Sequence, residues 1–158
     1  MGGRQMKTCF FIGHRDTDTA VADLLAQAVE QHITEYGISD FVVGHYGNFD
    51  RMAADALLLA KKLHPEVSLT LLLPYHPAVR SVPLLEGFDG SFYPPGMEGV
   101  PRRLAIVCAN RYMIEHCTHL IAYVRYPASS ARAFLEAALV RQRQGLMRVT
   151  NLSGWWPV

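Results

Sequence analysis

Four polar clusters carry the residue types that could do chemistry, and three of them follow an apolar run directly. Gly13-His14-Arg15-Asp16 follows the first run, Gly44-His45-Tyr46-Gly47-Asn48-Phe49-Asp50 the second, and Pro74-Tyr75-His76 the third. The fourth, Asn110-Arg111, stands ahead of a later run that is itself followed by Tyr126-Pro127-Ala128-Ser129-Ser130-Ala131. Glycines that let backbone approach a ligand, hydroxyls, and arginine forks are the tools of anion recognition. In Gly44–Asp50 the glycines run into a helix start, whose free N–H groups and positive dipole end favour a phosphate. The same residues also make a tight strand-to-helix turn, so the loop reads either way. It matches neither GxGxxG nor GxxxxGK[ST], and neither a dinucleotide fingerprint nor an NTPase follows.

His14, His45 and His76 each end a run. They could share a metal, hydrogen-bond an anion, or be plain loop histidines. No carboxylate or cysteine completes a ligand set, and no metal or other cofactor is expected. Cys9, Cys108 and Cys117 form no CxxC pair and are odd in number, as in a reducing compartment, so the chain is expected in the cytoplasm. Cys9 falls in an apolar run and the other two on or beside an apolar helix. Burial raises a thiol pKa and makes it inert, which argues against a cysteine nucleophile. Residues 76–101 hold five prolines and four glycines, with Tyr93, Glu98, Arg102 and Arg103 toward the end. Such a stretch is either a lid over a site or a proline-stiffened connection.

The elements that must position these clusters alternate. Short apolar runs at Thr8–Ile12, Phe41–Val43, Val67–Leu73, His119–Val124 and Met147–Leu152 predict strands. Helical spacing links them: Val21, Leu24, Leu25, Ala28 and Ile33 up to Gly37, then Phe49 to Leu63, then Arg102 to His116, then Ser129 to about Gln144. This order predicts one α/β domain over 1–158: a doubly wound sheet of about five mostly parallel strands with helices on both faces. Residues 1–7 read as a disordered or added tail. In such sheets ligands lie beyond the carboxyl ends of the strands, where the strand order reverses. The polar clusters fall at those ends.

The chain has 158 residues, 50% hydrophobic and 18% charged, enough for a packed core. A net charge of +1 argues against a protein held to nucleic acid by bulk electrostatics. No apolar stretch approaches membrane-spanning length, and no cleavable signal pattern opens the chain. Charge is uneven: residues 1–100 carry a net −5 and residues 101–158 a net +6, with eight arginines and no lysine. Either the two sets mix in space or the arginines line an anion site. Apolar residues beyond one helical stripe, Leu58 and Leu59 beside Leu57 and Val140 beside Leu139, lead us to expect a homodimer.

Phe10–Arg15, Gly44–Asp50, Tyr93-Pro94-Pro95-Gly96-Met97-Glu98-Gly99-Val100-Pro101 and Asn110-Arg111-Tyr112-Met113-Ile114, in that order, resemble the small bacterial proteins of the SLOG superfamily near the YpsA-like group. The resemblance implies a Rossmann-like sheet shared with DprA single-strand-DNA-binding proteins and LOG phosphoribohydrolases. It also implies a nucleotide pocket lined by Gly13-His14-Arg15, the Gly44–Asp50 loop and Asn110-Arg111. The LOG loop PGGxGTxxE is not kept: Tyr126–Ala131 has no glycine, and Ala133 and Phe134 stand where its catalytic glutamate would fall. Ser129 and Ser130 could still bond a phosphate. The expected function is therefore binding of a nucleotide or a nucleotide-derived small molecule. LOG-like N-glycosidic hydrolysis and DprA-like binding of single strands are the alternatives. Nucleic acid is not expected as a partner, nor is a membrane. The phosphate is expected between Gly13–Arg15, Gly44–Gly47 and Ser129-Ser130. Arg15 or Arg111 would be its charged contact, unless Arg111 pairs with Asp16 or Asp50.

Overall fold

A computed structural model describes residues 7–125 and 130–156. The first strand, β1 (Thr8–Gly13), is apolar at four consecutive positions because both its faces are covered. Phe10 and Ile12 turn to one core layer, Cys9 and Phe11 to the other. A short 3-10 turn, Thr19–Val21, leads into α1 (Ala22–Thr34), and Asp18 caps that turn by accepting the Ala20 N–H at 2.9 Å. Then come β2 (Asp40–Val43), α2 (Asn48–Leu63), β3 (Ser68–Leu72) and β4 (Gly90–Phe92). A second 3-10 turn, Arg102–Leu104, opens α3 (Ala105–His116). The chain continues through β5 (His119–Tyr123), α4 (Ser130–Arg143) and β6 (Arg148–Asn151).

The strands form one parallel sheet in the order β4-β3-β2-β1-β5-β6. Helices α1 and α2 cover one face; α3 and α4 cover the other. The expected doubly wound α/β sheet is present, with a sixth strand. That strand, β4, lies inside the proline- and glycine-rich stretch, where Gly90-Ser91-Phe92 gives no apolar signal. It exists because the edge of β3 offers it hydrogen bonds, and because Asp89 Oδ2 accepts the Leu69 N–H at 2.8 Å and the Lys61 ammonium at 2.6 Å. The stretch divides there. Pro94 and Met97 are buried, with Phe92, Tyr93 and Val100 against the core, while residues 77–81 are exposed.

The order reverses between β1 and β5, so the crevice of this sheet opens at their carboxyl ends. The end of β5 is tied down by buried Asn151 of β6. Its side-chain oxygen accepts the Val124 N–H at 3.0 Å and its amide donates to the Val124 carbonyl at 3.1 Å and to the Trp155 carbonyl. Trp155 packs on the core and Trp156 is exposed. Asn151→Ala leaves the Val124 amide pair without its partner and is expected to cost about 2 kcal/mol in urea unfolding. A loss below about 0.5 kcal/mol would show that water replaces these bonds. Leu57 is buried, whereas Leu59 on α2 and Val140 on α4 are 63% and 44% exposed on opposite faces of the sheet. No helix among the described residues is long and apolar enough to cross a membrane.

Candidate functional site

A cavity of about 360 Å³ lies at the carboxyl ends of β1, β2 and β3, walled by α3 and the start of α4. Its floor is built by glycines that meet side chains at van der Waals range. A Cβ on Gly13 would overlap Phe49, whose own Cβ would be 2.6 Å away. A Cβ on Gly44 would lie 2.7 Å from Asp50 Oδ2. Gly47 has φ +108° and would carry a Cβ 2.7 Å from Arg15 Cα, so this backbone conformation and this contact both require glycine. The two loops are stitched there, with the Asn48 N–H donating to the Arg15 carbonyl at 2.9 Å.

His14 is buried at the switch point and joins its two sides. Its N–H donates to Thr17 Oγ1 at 3.1 Å, and its ring Nε2 accepts the Arg125 N–H at 3.1 Å. That acceptor role fixes Nε2 unprotonated. Burial lowers the ring pKa, with Asp16 opposing and Arg125 adding to the shift. Asp50, in the first turn of α2, accepts the Tyr46 N–H at 3.0 Å. Burial pushes its carboxyl up to about 6, against the pull of that hydrogen bond. Arg15 and Arg103 bring two cations to the cavity and Asp16 a second acid. Ile106, Val107 and Phe134 supply an apolar wall.

Of the residues singled out from the sequence, the fold brings Gly13, His14, Arg15, Gly44, Tyr46, Asp50, Asn110 and Ser130 to this cavity. Gly47 supports it from behind. Ser129, with Tyr126 to Ala128, lies outside the described residues. Four others stand elsewhere. His45 is exposed beside Tyr46, at a ring separation of 5.3 Å. His76 is exposed beside Tyr93, its Nδ1 accepting the Ala78 N–H. Glu98 and Arg111 are exposed and outside the cavity lining. Arg111 pairs with neither Asp16 nor Asp50 among the described salt bridges. The three histidines therefore face three different neighbours. Cys9 and Cys117 are buried, the first thiol raised well above its usual range and the second to about 12, both by desolvation.

Arg103 was not among the expected contacts, although its signal was present. Residues 103, 106, 107 and 110 follow i, i+3, i+4, i+7 and share one helical face. Beyond the cavity a cationic and aromatic strip continues along the ends of β3 and β4. The Arg80 guanidinium lies 4.5 Å from the Tyr75 ring centre, and that of Arg102 lies 6.0 Å away.

Sheet order, switch-point crevice and glycine floor define a Rossmann-like α/β protein. Among solved structures, DNA processing protein A (DprA) from Streptococcus pneumoniae has this fold, with a TM-score of 0.62 and 17% sequence identity. The likeness covers 91% of this chain and 49% of that one, so this chain spans about half of that structure's length. At this identity the likeness is one of fold. No protein-family model and no curated protein matches the chain.

Proposed function

We propose that the switch-point crevice binds a nucleotide or a phosphorylated small molecule derived from one. The observation that carries this reading is that Arg15 and Arg103 line one cavity with a glycine-backed floor and with the apolar side chains of Ile106, Val107 and Phe134. The guanidinium forks suit a phosphate, and the wall suits a flat ring. The cavity volume of about 360 Å³ is that of a small-molecule site. The test is Arg103→Ala, titrated calorimetrically with a panel of nucleotides. Loss of a charge-assisted contact is worth about 1.5–3 kcal/mol, or roughly tenfold to a hundredfold in affinity. Arg103 is exposed and has no salt bridge among the described residues, so the ligand-free melting temperature is expected to hold. Arg111→Ala is the control and is expected to bind like the parent. A panel without a binder, or unchanged affinity in Arg103→Ala, rejects the reading.

A specific surface favours a second reading. Arg80 and Arg102 flank Tyr75, and His76 stands against Tyr93. Bases stack on aromatic rings while cations follow the backbone of a single strand. One solved structure with this fold is that of a protein named for DNA processing. Gel shift of a single-stranded oligonucleotide at low salt tests it, because low salt favours phosphate contacts most. A shift lost on combining Arg80→Ala with Arg102→Ala supports this reading, and absence of any shift removes it.

A further inference from the structure

Asp50 gives the crevice a polarity. It stands in the first turn of α2, where a helix otherwise attracts an anion. Its Oδ2 is held by the Tyr46 N–H, directly over Gly44. The start of α2 is thus already occupied by the chain's own acid, and a ligand phosphate placed there would face a like charge in a partly dehydrated cleft. Oδ1 differs from Oδ2: it has no hydrogen-bond partner among the described residues, and Asp50 lines the cavity. An ionised carboxylate oxygen only accepts, so what meets Oδ1 must be a donor. The other polar groups at the cavity are His14, Arg15 and Asp16 from the end of β1, Tyr46 from the end of β2, Arg103 and Asn110 beside and on α3, and Ser130 of α4. His14 is committed to the Arg125 N–H, and no salt bridge to Asp50 occurs among the described residues.

We propose that Asp50 Oδ1 receives a sugar hydroxyl of the ligand, so that the crevice selects ribose phosphates over their deoxy counterparts and turns the phosphate away from α2 toward Arg103. This rests on the nucleotide reading above and adds the class and direction of the ligand to it. Arg15, in the β1–α1 loop with its carbonyl against the start of α2, is then free to serve the sugar or the phosphate.

The selection has a pH signature, because the carboxyl titrates near 6. At pH 8 Asp50 is ionised and accepts; at pH 5 it is mostly protonated and the preference shrinks. A ratio of ribo to deoxy affinity cancels the titration of the ligand's own phosphate, which both ligands share. The experiment is calorimetric titration with the four ribonucleoside 5′-monophosphates and their 2′-deoxy and 3′-deoxy counterparts at both pH values. A preference of about tenfold or more at pH 8, falling severalfold at pH 5, is expected for one of the two hydroxyls. Asp50→Asn is expected to lose the preference at pH 8 and still bind the deoxy compound. Should that variant fail to fold, the pH ratio of the unaltered protein decides alone. Equal ribo and deoxy affinities at pH 8 overturn the proposal while the crevice reading stands. A panel in which nothing binds overturns both.

Discussion

Gly13→Ala is expected to cost about 3 kcal/mol, the largest loss from adding one methyl group anywhere along the crevice. The new Cβ would fall inside the Phe49 side chain, which is 1% exposed and packed in the core between α2 and the sheet. Neither partner can yield cheaply. Gly13 is held in register with Tyr123 by β1–β5 pairing, and Phe49 is fixed in the first turn of α2. Overpacking of a full core typically costs 1–3 kcal/mol, and this overlap lies at the upper end of that range. Urea unfolding measures it. Truncating the ring removes the two closest overlapping atoms and leaves only Cβ, 2.6 Å away, so Gly13→Ala combined with Phe49→Ala should cost less than the sum of the two single changes. Strict additivity, or a Gly13→Ala loss under about 1 kcal/mol, would show that the floor is looser than described. The fold of the crevice would be lost with the stability, because Gly13 and Phe49 together set the distance between its first two loops.

Acid is the second large lever, and it acts at the other end of the sheet. His32, Tyr36 and His119 form an aromatic cluster with ring separations of 4.9, 5.7 and 5.6 Å, and Arg148 stands 4.4 Å over the Tyr36 ring. His32 is fully buried. Its Nδ1 lies 2.6 Å from the Ala28 carbonyl and so donates to it, while Nε2 has no partner among the described residues. Burial holds both rings below the usual 6.5, and the charges of His32, Lys7 and Arg148 add to it for His119, which reaches about 4. The folded state thus resists protonation that the unfolded chain accepts. This contribution is complete above pH 6.5 and is lost as pH falls from 6.5 toward 4. At 1.36 kcal/mol per unit, and discounted because His119 is partly solvated, the His119 share is about 1–2 kcal/mol. His14 adds in the same direction. Asp50 opposes it: its carboxyl is raised, so acidification through 6 toward 3.8 stabilises the fold. The expected outcome is a urea-unfolding free energy that shifts less favourably between pH 7 and 4.5 in the parent than in His119→Gln, by about 1–2 kcal/mol. The same slope in both proteins would remove His119 from the account.

The local elements were written in the chain. Apolar runs mark β1, β2, β3 and β5, and a weaker pattern over Met147–Leu152 marks the edge strand β6; each is bounded by the glycine, proline or polar residues that end it. Helical spacing marks all four helices, and Gly37, with φ +68°, stands just beyond the end of α1 as expected. These signals survive because burial of one stripe or one strand is a property of neighbouring residues. The alternation of strand and helix also implied the parallel sheet and the end of it at which the crevice opens.

Tertiary structure decided what depends on partners distant in sequence. Strand β4 has no pattern of its own and exists because β3 offers an edge. Asn110 and Arg111 are adjacent on α3, about 100° apart around the axis, so only one could face the crevice. The apolar stripe of α3 turned Asn110 inward with Arg103 and left Arg111 in solvent. Asp50 reads in sequence as an ordinary first-turn acid. Only the closing of Gly44 and Tyr46 around it made a half-buried carboxyl that titrates near 6. His14 was equally a possible ligand or a plain loop histidine until Arg125, 111 residues away, claimed its Nε2. Periodicity is local and one-dimensional; which atoms finally meet is set by strand order, and strand order is a choice among long-range pairings that residue spacing does not record.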